Sequence, residues 1–213
     1  MTKVVFIDAA MPRIARIVIP EVPHHIIQRG NRRQPVFFTD EDRHFYLSLL
    51  LKWSNKERLS IWAYCLMANH LHCVAVPSLP TSLARTFAEV HKRYSQVINK
   101  RYGWRGYLWQ GRFLSYPMDE FYRYRAIRYV ELNPVRAGIV KDATDYPWSS
   151  ARAHVFGEED FLLSRNPLGM TGAEWAKYLA EGNKEPEAEI FRECIRSERP
   201  MGGEDFLKRI KGI

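Results

Sequence analysis

Two histidines two residues apart stand in the run Asn69-His70-Leu71-His72. On a strand successive side chains alternate, so both imidazoles share a face and can grip one divalent cation. Further along, Tyr129 and Asn133 in Arg128-Tyr129-Val130-Glu131-Leu132-Asn133-Pro134 lie one helical turn apart, near enough to serve a single site. A metal pair beside a tyrosine points to nucleophilic attack on a phosphate. A phosphodiester anion repels nucleophiles, and its cleavage needs a cation to neutralise developing charge and a nucleophile held in line.

The elements that must position these groups are legible in the apolar spacing. Pro23 to Gln28 is short and apolar, and Arg29-Gly30-Asn31-Arg32-Arg33 breaks it, which predicts a strand followed by a basic loop. Asp40 to Lys56 reads as a helix capped by Asp40, with Phe45, Leu49, Leu50 and Trp53 at helical spacing. Leu59 to Met67 and Leu71 to Val76 read as two strands joined near Ala68-Asn69. His70 and His72 then face away from Leu71, Cys73 and Ala75. Ser82 can cap a second helix whose Leu83, Phe87, Val90, Tyr94 and Val97 form a stripe, ending near Tyr102-Gly103. Tyr107 to Tyr116 is aromatic and strand-like. Asp119 can cap a third helix through Tyr129, which stops or kinks near Asn133 because Pro134 disfavours a helical residue before it. The order strand, helix, strand, strand, helix, strand, helix predicts an α+β fold, a ferredoxin-like antiparallel sheet with packed helices. Beyond residue 151 the chain turns polar. A helical or irregular C-terminal extension is expected there, with Ile190, Phe191, Cys194 and Ile195 on a small amphipathic helix, a turn at Pro200-Gly203 and a last helix from Glu204 that seals a core.

Four segments resemble, in order, the signature blocks of the REP-associated tyrosine transposases, a branch of the HUH single-tyrosine transposases. They are His24-His25-Ile26-Ile27-Gln28-Arg29-Gly30-Asn31, the run Ala63 to His72, Gly106 to Phe113, and Tyr129 to Gly138. Ala68 departs from the proline usual before the Asn-His pair, a change confined to the turn. The resemblance covers roughly Met11 to Ala151. It implies a division into an N-terminal extension (1–10), a catalytic domain of HUH transposase type (11–151) and a C-terminal extension (152–213).

The resemblance further implies that Tyr129 attacks DNA phosphorus, forming a 5′-phosphotyrosine and freeing a 3′-hydroxyl. On residue type alone Tyr122 and Tyr124 are rivals, but neither has an amide four residues on. His70 and His72 would supply imidazole nitrogens and Asn133 an amide oxygen to Mg2+ or Mn2+, with phosphate oxygens completing the shell, though imidazole alone would also accept zinc, cobalt or nickel. His24 and His25 are open to core, orienting or third-ligand roles. Tyrosine phenols titrate near about 10, so position and a nearby metal must activate the nucleophile. The substrate class implied is single-stranded DNA with hairpins of the repetitive extragenic palindromic type, handled by a monomer or a homodimer.

The formal net charge of +8 and a pI near 9.5 support a polyanionic partner. The strip from Lys92 to Phe113 interleaves cations with Tyr94, Tyr102, Trp104, Tyr107, Trp109 and Phe113, the pattern that holds single strands by phosphate contact and stacking; half of those aromatics should fill the core. Arg29, Arg32, Arg33, Arg105 and Arg112 are the expected DNA contacts, with Arg13 and Arg16 as candidates from the N-terminal arm. Cys65, Cys73 and Cys194 form no close-spaced pair, which argues for reduced thiols in a cytoplasmic setting; Cys65 and Cys73 read as core. No apolar run suits a membrane span or a signal peptide. The competing class is a non-catalytic single-stranded DNA or RNA binding protein derived from a transposase.

Overall fold

A computed structural model describes residues 16–164, 166–182, 185–196 and 199–210. The N-terminal extension and Arg13 lie outside the described residues. Strands β1 (His24–Arg29), β2 (Leu59–Met67), β3 (His70–Pro77) and β4 (Leu114–Pro117) form one antiparallel sheet in the order β2-β3-β1-β4. Helix α1 (Asp40–Lys56) follows β1 and α2 (Ser82–Tyr102) follows β3, giving the expected ferredoxin-like sequence of elements. After β4 come α3 (Glu120–Glu131), α4 (Asn133–Arg136), α5 (Ala151–Phe156), α6 (Gly172–Glu181), α7 (Glu185–Arg196) and α8 (Glu204–Ile210).

Strand alternation gives the sheet two apolar faces and hence two cores. Ile26, Leu66, Leu71, Cys73 and Ala75 pack under α1 and α2, against Tyr46, Leu50, Phe87 and Tyr94. Ile27, Ala63, Cys65, Met67 and Val74 pack instead beneath Ala126, Ile127 and Val130 of α3, together with Trp175 and Phe191 from the C-terminal helices. His72, between Leu71 and Cys73, therefore belongs to the α3 face. Residues beyond 151 complete this second core, and α3 would be bare on one side without them.

Local details differ from the sequence reading for physical reasons. The cap of α1 is Thr39, whose side chain accepts from the Asp42 amide while the Asp42 carboxylate accepts from Thr39 N; Asp40 is the first helical residue. Ser82 likewise lies inside α2, and its hydroxyl accepts from Leu79 N. In the α2 stripe Ile98 is buried in place of Val97, which is exposed. The stretch Tyr107–Phe113 is not strand. It runs as a loop tied to the end of β1 by Asn31 N to Leu108 O (2.8 Å) and Gln110 N to Arg29 O (2.9 Å), while Leu108, Trp109 and Phe113 insert into the first core. Helix α3 is capped by Asp119 and breaks at Leu132, so Asn133 opens α4 rather than ending α3.

Fully buried His24 and partly buried His91 sit in this framework as neutral histidines. Burial holds the pKa of His24 down to about 4 and that of His91 to about 3, with Arg16 adding to the latter. The unfolded chain protonates both near pH 6.5, so the stability they allow is complete above that value. It falls by about 1.4 kcal/mol per pH unit per histidine as pH drops toward the folded values. Urea melts between about pH 6 and pH 4 should show His91→Gln losing stability less steeply than wild type by about that amount per pH unit. Parallel slopes would mean that His91 is not held neutral.

Candidate active site

The site begins at the turn between β2 and β3. Gly30, at the end of β1, donates its N–H to Asn69 O (2.8 Å). A Cβ at Gly30 would lie 2.2 Å from Gln34 O and 2.7 Å from Val36 Cγ1, so only glycine allows this approach. The Ala68 carbonyl takes two amides from the same region, Val36 N and Phe37 N. Asn69 Nδ2 donates to Arg33 O (3.0 Å), which turns Asn69 Oδ1 toward His70 Nδ1 at 2.6 Å. That oxygen can only accept, so His70 carries its proton on Nδ1 and keeps a bare lone pair on Nε2.

His72 is oriented from the neighbouring strand. His25 Nε2 lies 3.0 Å from His72 Nδ1, and the two rings lie 5.1 Å apart, nearly parallel. His72 presents a bare Nε2 in the tautomer that donates Nδ1–H to His25. His25 then holds its own proton on Nδ1, a buried atom with no hydrogen-bond partner among the described residues. Burial lowers the pKa of His25 to about 3, of His70 to about 4 with Arg29 contributing, and of His72 well below its usual value. All three are neutral imidazoles at physiological pH, the state in which they ligate metal. With both Nδ1 atoms engaged, Nε2 of His70 and of His72 are the nitrogens left for a cation, and Asn133 offers an amide oxygen on the same cavity. This donor set fits a divalent ion. Among the described residues no cluster of three or more His, Cys, Asp or Glu is arranged to hold one; His25 stands behind His72 as an orienting group, not a third ligand.

Tyr129 reaches this point from α3. Its ring lies 5.7 Å from that of His72 and 6.0 Å from that of His25. Phe191 of α7 stacks on one side at 4.8 Å, and the Arg136 guanidinium lies 4.0 Å from the ring centroid. Arg136 also donates to the Tyr129 carbonyl. Helix α3 is anchored two residues further on by the fully buried Glu131. Its carboxylate accepts from Ser150 Oγ (2.5 Å) and Trp175 Nε1 (2.8 Å) and meets His154 Nδ1 at 2.6 Å. Those partners come from the residue before α5, from α6 and from α5, so the C-terminal helices fix the rotation of the tyrosine helix.

The groups surround a cavity of about 680 Å³. Its lining includes His70, His72, Tyr129 and Asn133 together with Arg29, Arg33, Arg112, Arg136, Arg192 and Arg196; none of the described lining residues is acidic. Arg192 and Arg196 share the Glu189 carboxylate of α7, at 2.9 and 2.7 Å, and the guanidinium groups that line the cavity still outnumber that one charge, which describes a place for phosphates. Tyr122 and Tyr124 do not line it. Arg32 and Arg105, also expected at the DNA, lie on a separate cavity beside it. Arg16 packs its guanidinium 3.8 Å over Phe113 and donates to the Phe113 carbonyl. Of the six aromatics in the basic strip, Tyr94, Trp109 and Phe113 are buried while Tyr102, Trp104 and Tyr107 are exposed, the expected half and half.

A family model for IS200-like transposases matches residues 19–133, which span β1 through the first residue of α4. The chain belongs to the IS200-like transposase family. Among curated proteins, a REP-associated tyrosine transposase of Escherichia coli K12 is 25% identical over 103 residues, 47% of this chain and 59% of the relative. The chain thus spans about 59% of the length of that relative. A solved structure of a REP-associated tyrosine transposase bound to a REP hairpin superposes with a TM-score of 0.59 at 19% identity, covering 76% of this chain and 96% of that one. That likeness establishes the fold of this IS200-like transposase. A putative transposase from Deinococcus radiodurans R1 gives a TM-score of 0.40 at 19% identity, over 56% of this chain and 96% of its own.

Four residues of the site escaped the sequence reading. Arg136 stands in the Asn133-Pro134-Val135-Arg136 run, and the break at Leu132 folds α4 back so that its guanidinium meets the Tyr129 ring and carbonyl. Phe191 is legible only as a member of an amphipathic helix and the arginines of α7 not at all, because only tertiary packing lays α7 over Tyr129. The expectation that the C-terminal helices merely seal a core is corrected by Arg192 and Arg196 on the cavity wall. Among the described residues no helix is long and apolar enough to cross a membrane.

Proposed function

We propose that this chain is a metal-dependent transposase that cleaves and rejoins single-stranded DNA beside REP-type hairpins through a 5′-phosphotyrosine. The observation that carries the reading is the convergence of Tyr129, His70, His72 and Asn133 on one cavity walled by arginines. The REP hairpin bound in the solved transposase supports the hairpin as the DNA feature concerned, and the name of the curated relative supports its association with REP sequences.

In this reading Arg29, Arg33 and Arg112 seat the phosphates, and the scissile one faces Tyr129. The phenol oxygen attacks phosphorus as its proton leaves to solvent. An O–P bond forms, the P–O3′ bond breaks, and O3′ takes a proton and departs as a 3′-hydroxyl. Arg136, against the tyrosine ring, compensates negative charge as it builds between the phenol and the phosphate. A later 3′-hydroxyl reverses these steps and joins strands. His70, His72 and Asn133 would hold Mg2+ or Mn2+, which when bound supplies positive charge to the phosphate oxygens. The arginine wall, net positive even with Arg192 and Arg196 sharing Glu189, repels a bare cation, so these ligands should fill well only when phosphate is present. One chain brings the tyrosine to its own histidines, so a monomer suffices. Among the described residues no disulfide joins Cys65, Cys73 or Cys194, which accords with a cytoplasmic setting.

The test is a labelled hairpin oligonucleotide with single-stranded flanks, incubated with the protein and Mg2+ or Mn2+ and resolved under denaturing conditions. A shifted protein–DNA band that EDTA prevents is the expected result. Retention of DNA in native gels with no such band under any metal would favour a binding protein without chemistry.

A further inference from the structure

The 3-10 turn Asn31–Arg33 stands between two cavities. Arg33 lines the one that holds Tyr129, and Arg32 lines a second of about 350 Å³, within the range of small-ligand sites. These adjacent arginines both adopt left-handed backbone, with φ of 52° and 60°. That conformation costs an L-residue roughly 1 kcal/mol or more, and two in succession persist only where surrounding contacts impose them. Here those contacts are the Gly30 approach and the Asn69 bond to Arg33 O. The strained turn parts two neighbouring cations, one toward each cavity.

The second cavity differs in kind from the first. It has exposed aromatic faces. Trp104 is 41% exposed and Tyr107 is 88% exposed. The Trp104 ring is backed by Tyr102 at 4.9 Å, nearly parallel, and by Phe38 at 5.7 Å. The loop that carries them is tied down by Asn99 Nδ2 to Gly106 O (3.0 Å) and Trp104 N to Asn99 O (2.9 Å). A ring as large as Tyr107 gains by burial, so a braced loop that leaves it in solvent holds it out for another molecule. Arg32 and Arg105 share this cavity, and among the described residues no acidic side chain pairs with either. Gln34 adds an amide. Two cations, two open aromatic faces and an amide are the groups that seat a nucleotide, with phosphate on the cations, the base on the rings and its edge on the amide.

We propose that this cavity is a second nucleotide subsite, which takes an unpaired base of the strand whose neighbouring phosphate enters the tyrosine cavity. The inference rests on the reading that single-stranded DNA is the substrate, and it adds where specificity is read. Chemistry and base recognition are divided across one turn of backbone, with Arg33 serving the first and Arg32 the second.

The experiment uses the full chain and a dT12 strand bearing one 5-iododeoxyuridine at successive positions, cross-linked by light and mapped by peptide mass. The expected cross-links fall on Trp104 or Tyr107. Fluorescence anisotropy with dT12 should show Tyr107→Ala binding about fivefold to a hundredfold more weakly, the range of a lost base stack. Arg105→Gln should weaken binding and flatten the salt dependence by about 0.7 in log–log slope. Tyr107 is exposed, so its variant keeps the wild-type melting curve. Affinities within about twofold of wild type for both variants, or cross-links confined to other segments, would overturn the proposal. A protein that cross-links through this loop but forms no covalent adduct loses the nicking mechanism and keeps the subsite. One that forms adduct normally while both variants bind as wild type loses the subsite alone.

Discussion

Tyr129→Phe abolishes the covalent protein–DNA adduct, with a loss of more than about 1,000-fold, while the fold and the affinity for DNA stay as they were. The substitution deletes one oxygen. The ring that remains keeps its stack on Phe191 and its place under Arg136, so the stability change should stay below about 1 kcal/mol in urea denaturation. DNA is held by Arg29, Arg33 and Arg112 on the cavity wall, and Arg136, which also hydrogen-bonds the Tyr129 side chain, keeps its contact with the ring and its bond to the Tyr129 carbonyl in the variant. Tyr122→Phe should be nearly neutral for the adduct, because that ring packs into the second core away from the cavity. Adduct formed by Tyr129→Phe in wild-type yield would move the nucleophile to another side chain.

His70→Ala and His72→Ala each suppress cleavage by more than about 100-fold, since even groups that only orient a ligand account for tenfold to a hundredfold. The two should separate in stability. His70 is half-buried at the start of β3, and its loss leaves the fold intact, whereas His72 is packed between His25 and Tyr129 and leaves a void. Asn133→Ala should be milder than either, because water can replace an amide oxygen at a hard cation. Calorimetry of Mn2+ binding is best read in the Tyr129→Phe background with a hairpin oligonucleotide bound, where phosphate offsets the arginines and no turnover occurs. Equal Mn2+ binding with and without the two histidines would remove them as ligands.

The sequence disclosed the elements whose signal is periodic. Alternation in β3 placed His70 and His72 on the face opposite Leu71 and Cys73, and the sheet keeps that division. Helical spacing and Gly103 bounded α2, and Asp119 marked the start of α3. What stayed hidden is held by contacts distant in sequence. Glu131 reads as an ordinary helix acid, yet Ser150, His154 and Trp175 make it a buried anchor. The aromatic richness of Tyr107–Phe113 imitates a strand because half of its large side chains are core residues, but their burial follows no period of two. Phe191 showed itself as part of an amphipathic helix, and only the second core decides that its ring lies on Tyr129. His25 was ambiguous by type, and its role follows from one nitrogen facing His72 Nδ1.

The most direct test of the central claim is the identity of the residue that carries DNA. Adduct formed with a hairpin oligonucleotide and Mn2+ is digested with nuclease and protease, and the modified peptide is sequenced by mass spectrometry. The account predicts a nucleotide joined through its 5′-phosphate to the phenol oxygen of Tyr129, with the released strand ending in a 3′-hydroxyl. A nucleotide on Tyr122, Tyr124 or another side chain, or cleaved DNA with no protein attached to either end, would contradict it.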